Sequence, residues 1–153
     1  MKRILARKEL CVGCRLCEVH CTVAHSRSKD IVKAFKEEFP RPKSAVKVED
    51  AGCTSMALQC RHCDEPHCIQ ACMTGAMHRD ESGAVVCDTT KCVGCWMCVM
   101  ACPYGAIQRD VEGKGTVSKC DLCAELGEPA CVMNCPNEAL ILVEVEEEVT
   151  PGV

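Results

Sequence analysis

Eighteen of the 153 residues are cysteine, and sixteen of these fall into four groups of four. Cys11, Cys14, Cys17 and Cys21 are spaced C-x2-C-x2-C-x3-C. Cys60, Cys63, Cys68 and Cys72 are spaced C-x2-C-x4-C-x3-C. Cys92, Cys95, Cys98 and Cys102 repeat the first spacing, with Pro103 following. Cys120, Cys123, Cys131 and Cys135 are spaced C-x2-C-x7-C-x3-C, with Pro136 following. Three closely spaced thiolates on a looped backbone can reach three irons of one iron–sulfur cube. The fourth, a little further on, then ligates a second cube. This predicts a helix starting at each fourth cysteine and pointing toward a partner cluster. The prolines suit such a helix start or a turn.

Zinc is the competing ion. Zinc sites pair two C-x2-C knuckles across a longer gap, and C-x2-C-x2-C-x3-C places a third thiol where a knuckle has no use for it. Disulfides are the other competitor, and they need an oxidising compartment. The start MKRILARKEL has no apolar core of a secretory signal, and the apolar run Ala139 to Val143 is too short to span a bilayer. The expectation is a cytoplasmic protein with reduced, metal-bound thiols and no direct membrane span. Cys53 and Cys87 are left over. They read as small buried hydrophobes rather than ligands.

Aromatic residues make up 3% of the chain, too few for an ordinary core. Metal must substitute for large side chains in holding the fold together. The formal charge is −4. Four thiolates around a 2+ cube add about −2 per site, so four sites bring the total to roughly −12. That balance leaves no footprint for nucleic acid. No flavin, nicotinamide or phosphate-binding loop is present: Gly113-Lys114-Gly115 lacks the required glycines and Ser/Thr. No nucleophile–base constellation stands out, so no catalytic residue is assigned.

The elements that must position the cysteines are short. Cys11-Val12-Gly13-Cys14 recurs as Cys92-Val93-Gly94-Cys95, and Glu65-Pro66-His67-Cys68 is echoed by Glu128-Pro129-Ala130-Cys131. A two-group unit has been duplicated. Gly75 to Val86 reads as a hairpin turning at Asp80–Gly83, and Gly105 to Val117 as another turning at 112–115. Ala139 to Val145 is a further strand. Within the insertion 22–59, Asp30 to Phe39 has helical spacing up to Pro40, and Ala45 to Val48 alternates like a strand. The insertion reads chiefly as a lid that shields clusters from water, with a share in partner docking. The acidic tail 144–149 reads as solvated. His20, His25, His62, His67 and His78 read as surface groups or cluster neighbours, since sixteen thiols already satisfy four clusters. Trp96 reads as packing against a cluster, and Lys91 and Lys119 as solvated lysines.

Four such groups in this order resemble the four-cluster ferredoxin-type iron–sulfur subunits of redox enzymes, over nearly the whole chain from Leu10 to Val143. The stretches 58–66, 92–98 and 101–106 are most similar to the carbon monoxide dehydrogenase-associated type. The resemblance implies an α+β fold of two bacterial ferredoxin-like lobes, a polyferredoxin with short helices, β-hairpins and many loops. One lobe is discontinuous, residues 1–50 plus 116–153, and carries groups one and four. The other, residues 51–115, carries groups two and three. The spacing alone leaves pairing of the first group with the second equally open. The resemblance implies four [4Fe–4S] clusters held crosswise. Their ligands would be Cys11, Cys14, Cys17 and Cys135; Cys120, Cys123, Cys131 and Cys21; Cys60, Cys63, Cys68 and Cys102; and Cys92, Cys95, Cys98 and Cys72. Proline is missing after Cys21 and Cys72, which leaves the ligands in place but alters the local turns. The implied function is electron transfer without chemistry of its own. Its catalytic partner would be a carbon monoxide dehydrogenase, formate dehydrogenase or hydrogenase, and its acceptor an NAD(P)-linked flavoprotein or hydrogenase. The alternative is the iron–sulfur subunit of a formate dehydrogenase or aldehyde oxidoreductase complex.

Overall fold

The computed structural model describes residues 1–112 and 115–145. The chain is a small mixture of short helices and two-stranded antiparallel ribbons. Strand β1 (Lys2–Ala6) is followed by helices α1 (Leu16–Ala24) and α2 (Ile31–Lys36), and strands β2 (Lys47–Asp50) and β3 (Ser55–Leu58). Next come α3 (His67–Gln70), β4 (Met77–Arg79), β5 (Val85–Cys87), α4 (Met97–Ala101), β6 (Gln108–Asp110) and β7 (Thr116–Ser118). A 3₁₀ turn (Ala124–Leu126), α5 (Ala130–Met133) and β8 (Leu140–Glu144) complete the described chain. No helix among the described residues is long and apolar enough to cross a membrane.

Three ribbons join neighbours in sequence: β2 with β3, β4 with β5, and β6 with β7. The fourth joins the two ends of the described chain, with Lys2 opposite Glu144 and Ala6 opposite Leu140. The Met1 and Val145 backbones extend that ladder by exchanging hydrogen bonds. The hairpins expected at Gly75–Val86 and Gly105–Val117 are β4–β5 and β6–β7. The turn expected at 112–115 lies partly outside the described residues, as does most of the acidic tail. The helix expected over Asp30–Phe39 is capped by the Asp30 carboxylate, which accepts the Val32 and Lys33 N–H groups. It stops at Lys36, before the prolines, because Glu38 turns back to accept the Arg27 and Ser28 amides. The strand expected over Ala45–Val48 is β2, shifted to begin at Lys47; the Ala45 amide is taken by a cysteine.

The helix starts differ from expectation. Each of α1, α3, α4 and α5 holds the third cysteine of its group, Cys17, Cys68, Cys98 or Cys131. The fourth cysteine lies within α1, or just past the end of α3, α4 and α5. A single helical turn thus separates third from fourth, which suits the i, i+4 spacing. Pro66 and Pro129 sit at the helix entries, whereas Pro103 and Pro136 follow the exits. Arg15 and Trp96 enter α1 and α4 in the left-handed conformation. His62 and Leu122 adopt it one residue before the second cysteine of groups two and four. The duplication therefore shows in the backbone as well as the sequence. Gly13 and Gly94 occupy equivalent sites at φ 68° and 67°. At Gly94 a Cβ would run into the Gly115 carbonyl oxygen.

Two clusters of buried side chains hold the ribbons together. One gathers Ile4, Val46, Val48, Ala57 and Leu140 around Cys17, Cys21, Cys60, Cys120 and Cys131. The other gathers Met77, Val85, Ile107 and Val117 around Cys98. Hairpins β2–β3 and β6–β7 straddle positions 50/51 and 115/116. Ala57 and Cys60 consequently lie in the first core and Val117 in the second.

Candidate iron–sulfur centres

Helix pairing decides which cysteines meet. Helix α1 packs on α5, and α3 packs on α4. The ends of groups one and four are thereby brought together, as are those of groups two and three. A shallow pocket is lined by Cys11, Cys14, Cys17 and Cys135, with Val48, Ala57 and Leu140 among its apolar walls. Cys131 lies against Cys21 and Cys123, and Cys123 against Cys21. Cys120 neighbours Cys131. Cys63 and Cys68 both neighbour Cys60 and Cys102. Cys98 neighbours Cys92 and Cys72. Cys95 stands exposed in the loop between Cys92 and Cys98. The structure thus brings thiols of groups one and four near one another, and likewise thiols of groups two and three.

Further neighbours link these thiols: Cys17 with Cys131, Cys120 with Cys60, and Cys68 with Cys98. Cys14 and Cys95 are exposed, whereas Cys17, Cys21, Cys60, Cys98, Cys120 and Cys131 are buried.

Burial raises seven of these thiols, Cys17, Cys63, Cys68, Cys98, Cys120, Cys123 and Cys131. Cys17 and Cys98 are pushed up to about 11 and Cys131 to about 12, in each case first by burial and then by neighbouring acidic groups. A metal-free cage of this kind holds protons, and iron must displace them to bind. Two fourth cysteines behave oppositely. Burial raises the Cys21 thiol, but hydrogen bonds from His25 and the Ala45 amide outweigh it and lower the group. Burial likewise opposes the Met77 amide and Thr74 at Cys72, and the hydrogen bonds again win.

Backbone N–H groups directed at sulfur are the feature spacing could not reveal. Ala45 donates to Cys21 Sγ at 3.2 Å and Ala139 to Cys135 Sγ at 3.2 Å. Met77 donates to Cys72 Sγ and His62 to Cys60 Sγ, both at 3.4 Å. Such bonds stabilise thiolate and tune any bound cluster. The insertion contributes directly: Ala45 serves Cys21, and Ser55 Oγ donates to the Cys11 carbonyl at 3.0 Å. With four-thiol sets, apolar walls and N–H donors aimed at sulfur, the residues fit [4Fe–4S] clusters.

Several individual residues stand elsewhere than expected. Cys53 is exposed in the turn between β2 and β3, because a turn has no interior to bury it in. Cys87 is half-buried within hydrogen-bonding reach of Cys92, near Cys98 and Cys72, so it is a fifth thiol beside the last set. Lys91 is solvated as expected and pairs with Asp88. Lys119 is buried, at 9% exposure, because its ammonium is taken by backbone carbonyls. His62 is wholly buried, at 0% exposure, with Nδ1 accepting the Val85 amide at 3.0 Å. His25 is exposed and bonds Asp121 at 3.2 Å; Asp121 first, then Cys21, raises its proton affinity. Trp96 packs against the second core beside Cys92 and Cys98.

The family profile described as a 4Fe-4S dicluster domain matches residues 52–145. That stretch contains groups two, three and four and leaves the first outside. The putative electron transport protein YsaA of Escherichia coli strain K12 is 37% identical over 147 residues, covering 94% of this chain and 90% of that protein. The probable anaerobic dimethyl sulfoxide reductase chain YnfG of the same strain is 37% identical, covering 90% of this chain and 70% of that one. Among solved structures, a chain of the active site complex BamBC of benzoyl coenzyme A reductase, as isolated, superimposes with a TM-score of 0.51 at 25% identity. The match covers 96% of this chain and 80% of that chain. On this combination of matched profile, full-length relatives and thiol cages, the chain belongs to the 4Fe-4S dicluster domain family and is a ferredoxin-type iron–sulfur electron-transfer protein.

Proposed function

We propose that this chain is a relay subunit that holds four [4Fe–4S] clusters in a row and carries single electrons between a catalytic partner and an acceptor. The observation that carries the reading is the row of adjoining thiol sets, from Cys17 beside Cys131, through Cys120 beside Cys60, to Cys68 beside Cys98. The bound clusters supply reversible one-electron chemistry over a wide range of potentials. Everything else is the work of the chain. The sixteen cysteines ligate in the crossed sets described above. Ala45, Ala139 and Met77 direct N–H groups at the sulfurs. Val46, Val48, Ile4 and Leu140 pack around Cys17, Cys21, Cys60, Cys120 and Cys131 and keep water from them.

The two-lobe division, residues 1–50 plus 116–153 against 51–115, is part of this reading. Hairpins β2–β3 and β6–β7 act as straps across its boundaries. Partners dock at the two ends of the row. Exposed Val12 and Leu16 surround Cys14 at one end, and exposed Val93, Met97 and Met100 surround Cys95 at the other. The likeness to YnfG, a probable dimethyl sulfoxide reductase chain, and to a chain of the BamBC complex of benzoyl coenzyme A reductase favours a catalytic oxidoreductase subunit as donor. Within that class, carbon monoxide dehydrogenase leads on sequence resemblance, with a formate dehydrogenase or aldehyde oxidoreductase as the alternative. An NAD(P)-linked flavoprotein or hydrogenase suits the acceptor. The test is anaerobic purification of the native protein with its bound partners. Sixteen irons per chain and a co-purifying catalytic oxidoreductase are expected; a colourless protein that binds zinc instead would end the proposal.

A further inference from the structure

Lys119 is a buried cation with no acidic side chain in ion-pair contact among the described residues. Its ammonium donates to the Cys120 carbonyl at 3.1 Å and to the Val85 carbonyl. Neither acceptor is charged, and no described carboxylate forms an ion pair with it. An uncompensated buried charge is expensive. The position shows what could offset it. Lys119 immediately precedes Cys120, and its field reaches Cys68 as well as Cys120. These thiols belong to the two inner sets of the row, which meet where Cys60 adjoins Cys120.

The ammonium is also held in place. The Val85 peptide is gripped from both sides, its N–H by His62 Nδ1 and its carbonyl by Lys119. His62 lies between Cys60 and Cys63, so the clamp runs from the ligand loop of one inner set to that of the other. With Nδ1 accepting the Val85 N–H hydrogen bond, the ring is in its neutral form; burial first, and then Lys119, push His62 down to about 3. The imidazole therefore anchors the strand without competing for charge.

We propose that Lys119 is the counter-charge of the two inner clusters: a fixed ammonium at their junction that favours the reduced state of both. The proposal rests on the four-cluster reading above. A cation beside a cluster stabilises the added electron, so it raises the potential. Holding both inner clusters up together would keep the passage between them nearly level.

The test is an EPR-monitored anaerobic redox titration of the loaded holoprotein, alongside iron and sulfide content. Wild type, K119Q, K119M and K119R are compared. At the potential where the wild-type inner clusters are half reduced, K119Q and K119M should show a reduced-to-oxidised ratio about tenfold lower, equivalent to ~59 mV for one electron. Two midpoints should move and two should stay, and K119R should restore the wild-type values. Fully loaded neutral variants with four unmoved midpoints would overturn the proposal, as would K119R shifting like K119Q. If the neutral variants fail to load while K119R loads with wild-type midpoints, the need for a cation is upheld. If K119R fails with them, the role is one of shape and the proposal falls. A wild-type protein holding fewer than four clusters would instead overturn the four-cluster reading, whatever the variants do.

Discussion

Cys60 and Cys120 are neighbours in one apolar core, although they open the second and the fourth cysteine groups. Through that contact the cages built by α3 and α4 adjoin those built by α1 and α5. Predictions about ligation follow from the crossing that surrounds it.

Cys135 closes the pocket of Cys11, Cys14 and Cys17 although it belongs to the fourth group. Cys135→Ser should therefore damage the cluster of the first group. Its EPR and Mössbauer spectra should match those of Cys11→Ser and differ from those of Cys131→Ser. A match to Cys131→Ser alone would show that the cages are not crossed.

Cys87 is the fifth thiol beside the Cys92 set, with its proton held by burial and by Cys92, so that it is pushed up to about 12. In the proposed ligation Cys92, Cys95, Cys98 and Cys72 already fill the four positions of that cluster, which leaves none for Cys87. Cys87→Ala should keep the full iron and sulfide content, whereas Cys92→Ala should lose one iron or one whole cluster. Iron loss in Cys87→Ala equal to that in Cys92→Ala would make Cys87 a ligand.

Gly13 and Gly94 are sequence equivalents in unequal surroundings. A Cβ on Gly13 meets the Ser55 Oγ at 3.1 Å and the Ser55 Cβ at 3.3 Å, and a shift of a few tenths of an ångström relieves both. At Gly94 it runs into the Gly115 carbonyl oxygen, so the backbone itself must move. Both substitutions to alanine carry the left-handed penalty, and Gly94→Ala should cost ~1–3 kcal/mol more than Gly13→Ala. Thermal unfolding of the two loaded variants measures the difference; equal midpoints would contradict it.

With so few aromatic residues, the buried thiols Cys17, Cys21, Cys60, Cys98, Cys120 and Cys131 occupy places that large side chains fill elsewhere. Stripping the iron anaerobically should abolish the cooperative thermal transition, because burying bare thiols in these cages does little to replace it. An unchanged transition followed by circular dichroism would refute this.

The cysteine groups, the repeat and the hairpins were legible because each has a local signature: fixed spacing, glycine-rich turns, alternation. Helix entry was not, since Arg15, Trp96, His62 and Leu122 take left-handed backbone that glycine or asparagine would normally advertise. The amides of Ala45, Met77 and Ala139 carry no side-chain signal at all. Lys119 resembles Lys91 in sequence, each preceding the first cysteine of its group. Only the approach of β5, with its Val85 carbonyl, makes one of them buried.

The pairing of β1 with β8 has a bearing on biosynthesis. A ribosome releases Cys11, Cys14 and Cys17 long before it releases Cys135 and the strand that zips against Lys2–Ala6. The middle of the chain can be loaded and closed while translation continues. In the proposed crossed ligation the cage of Cys11, Cys14 and Cys17 must wait, three-toothed and open to oxygen, until Cys135 has emerged.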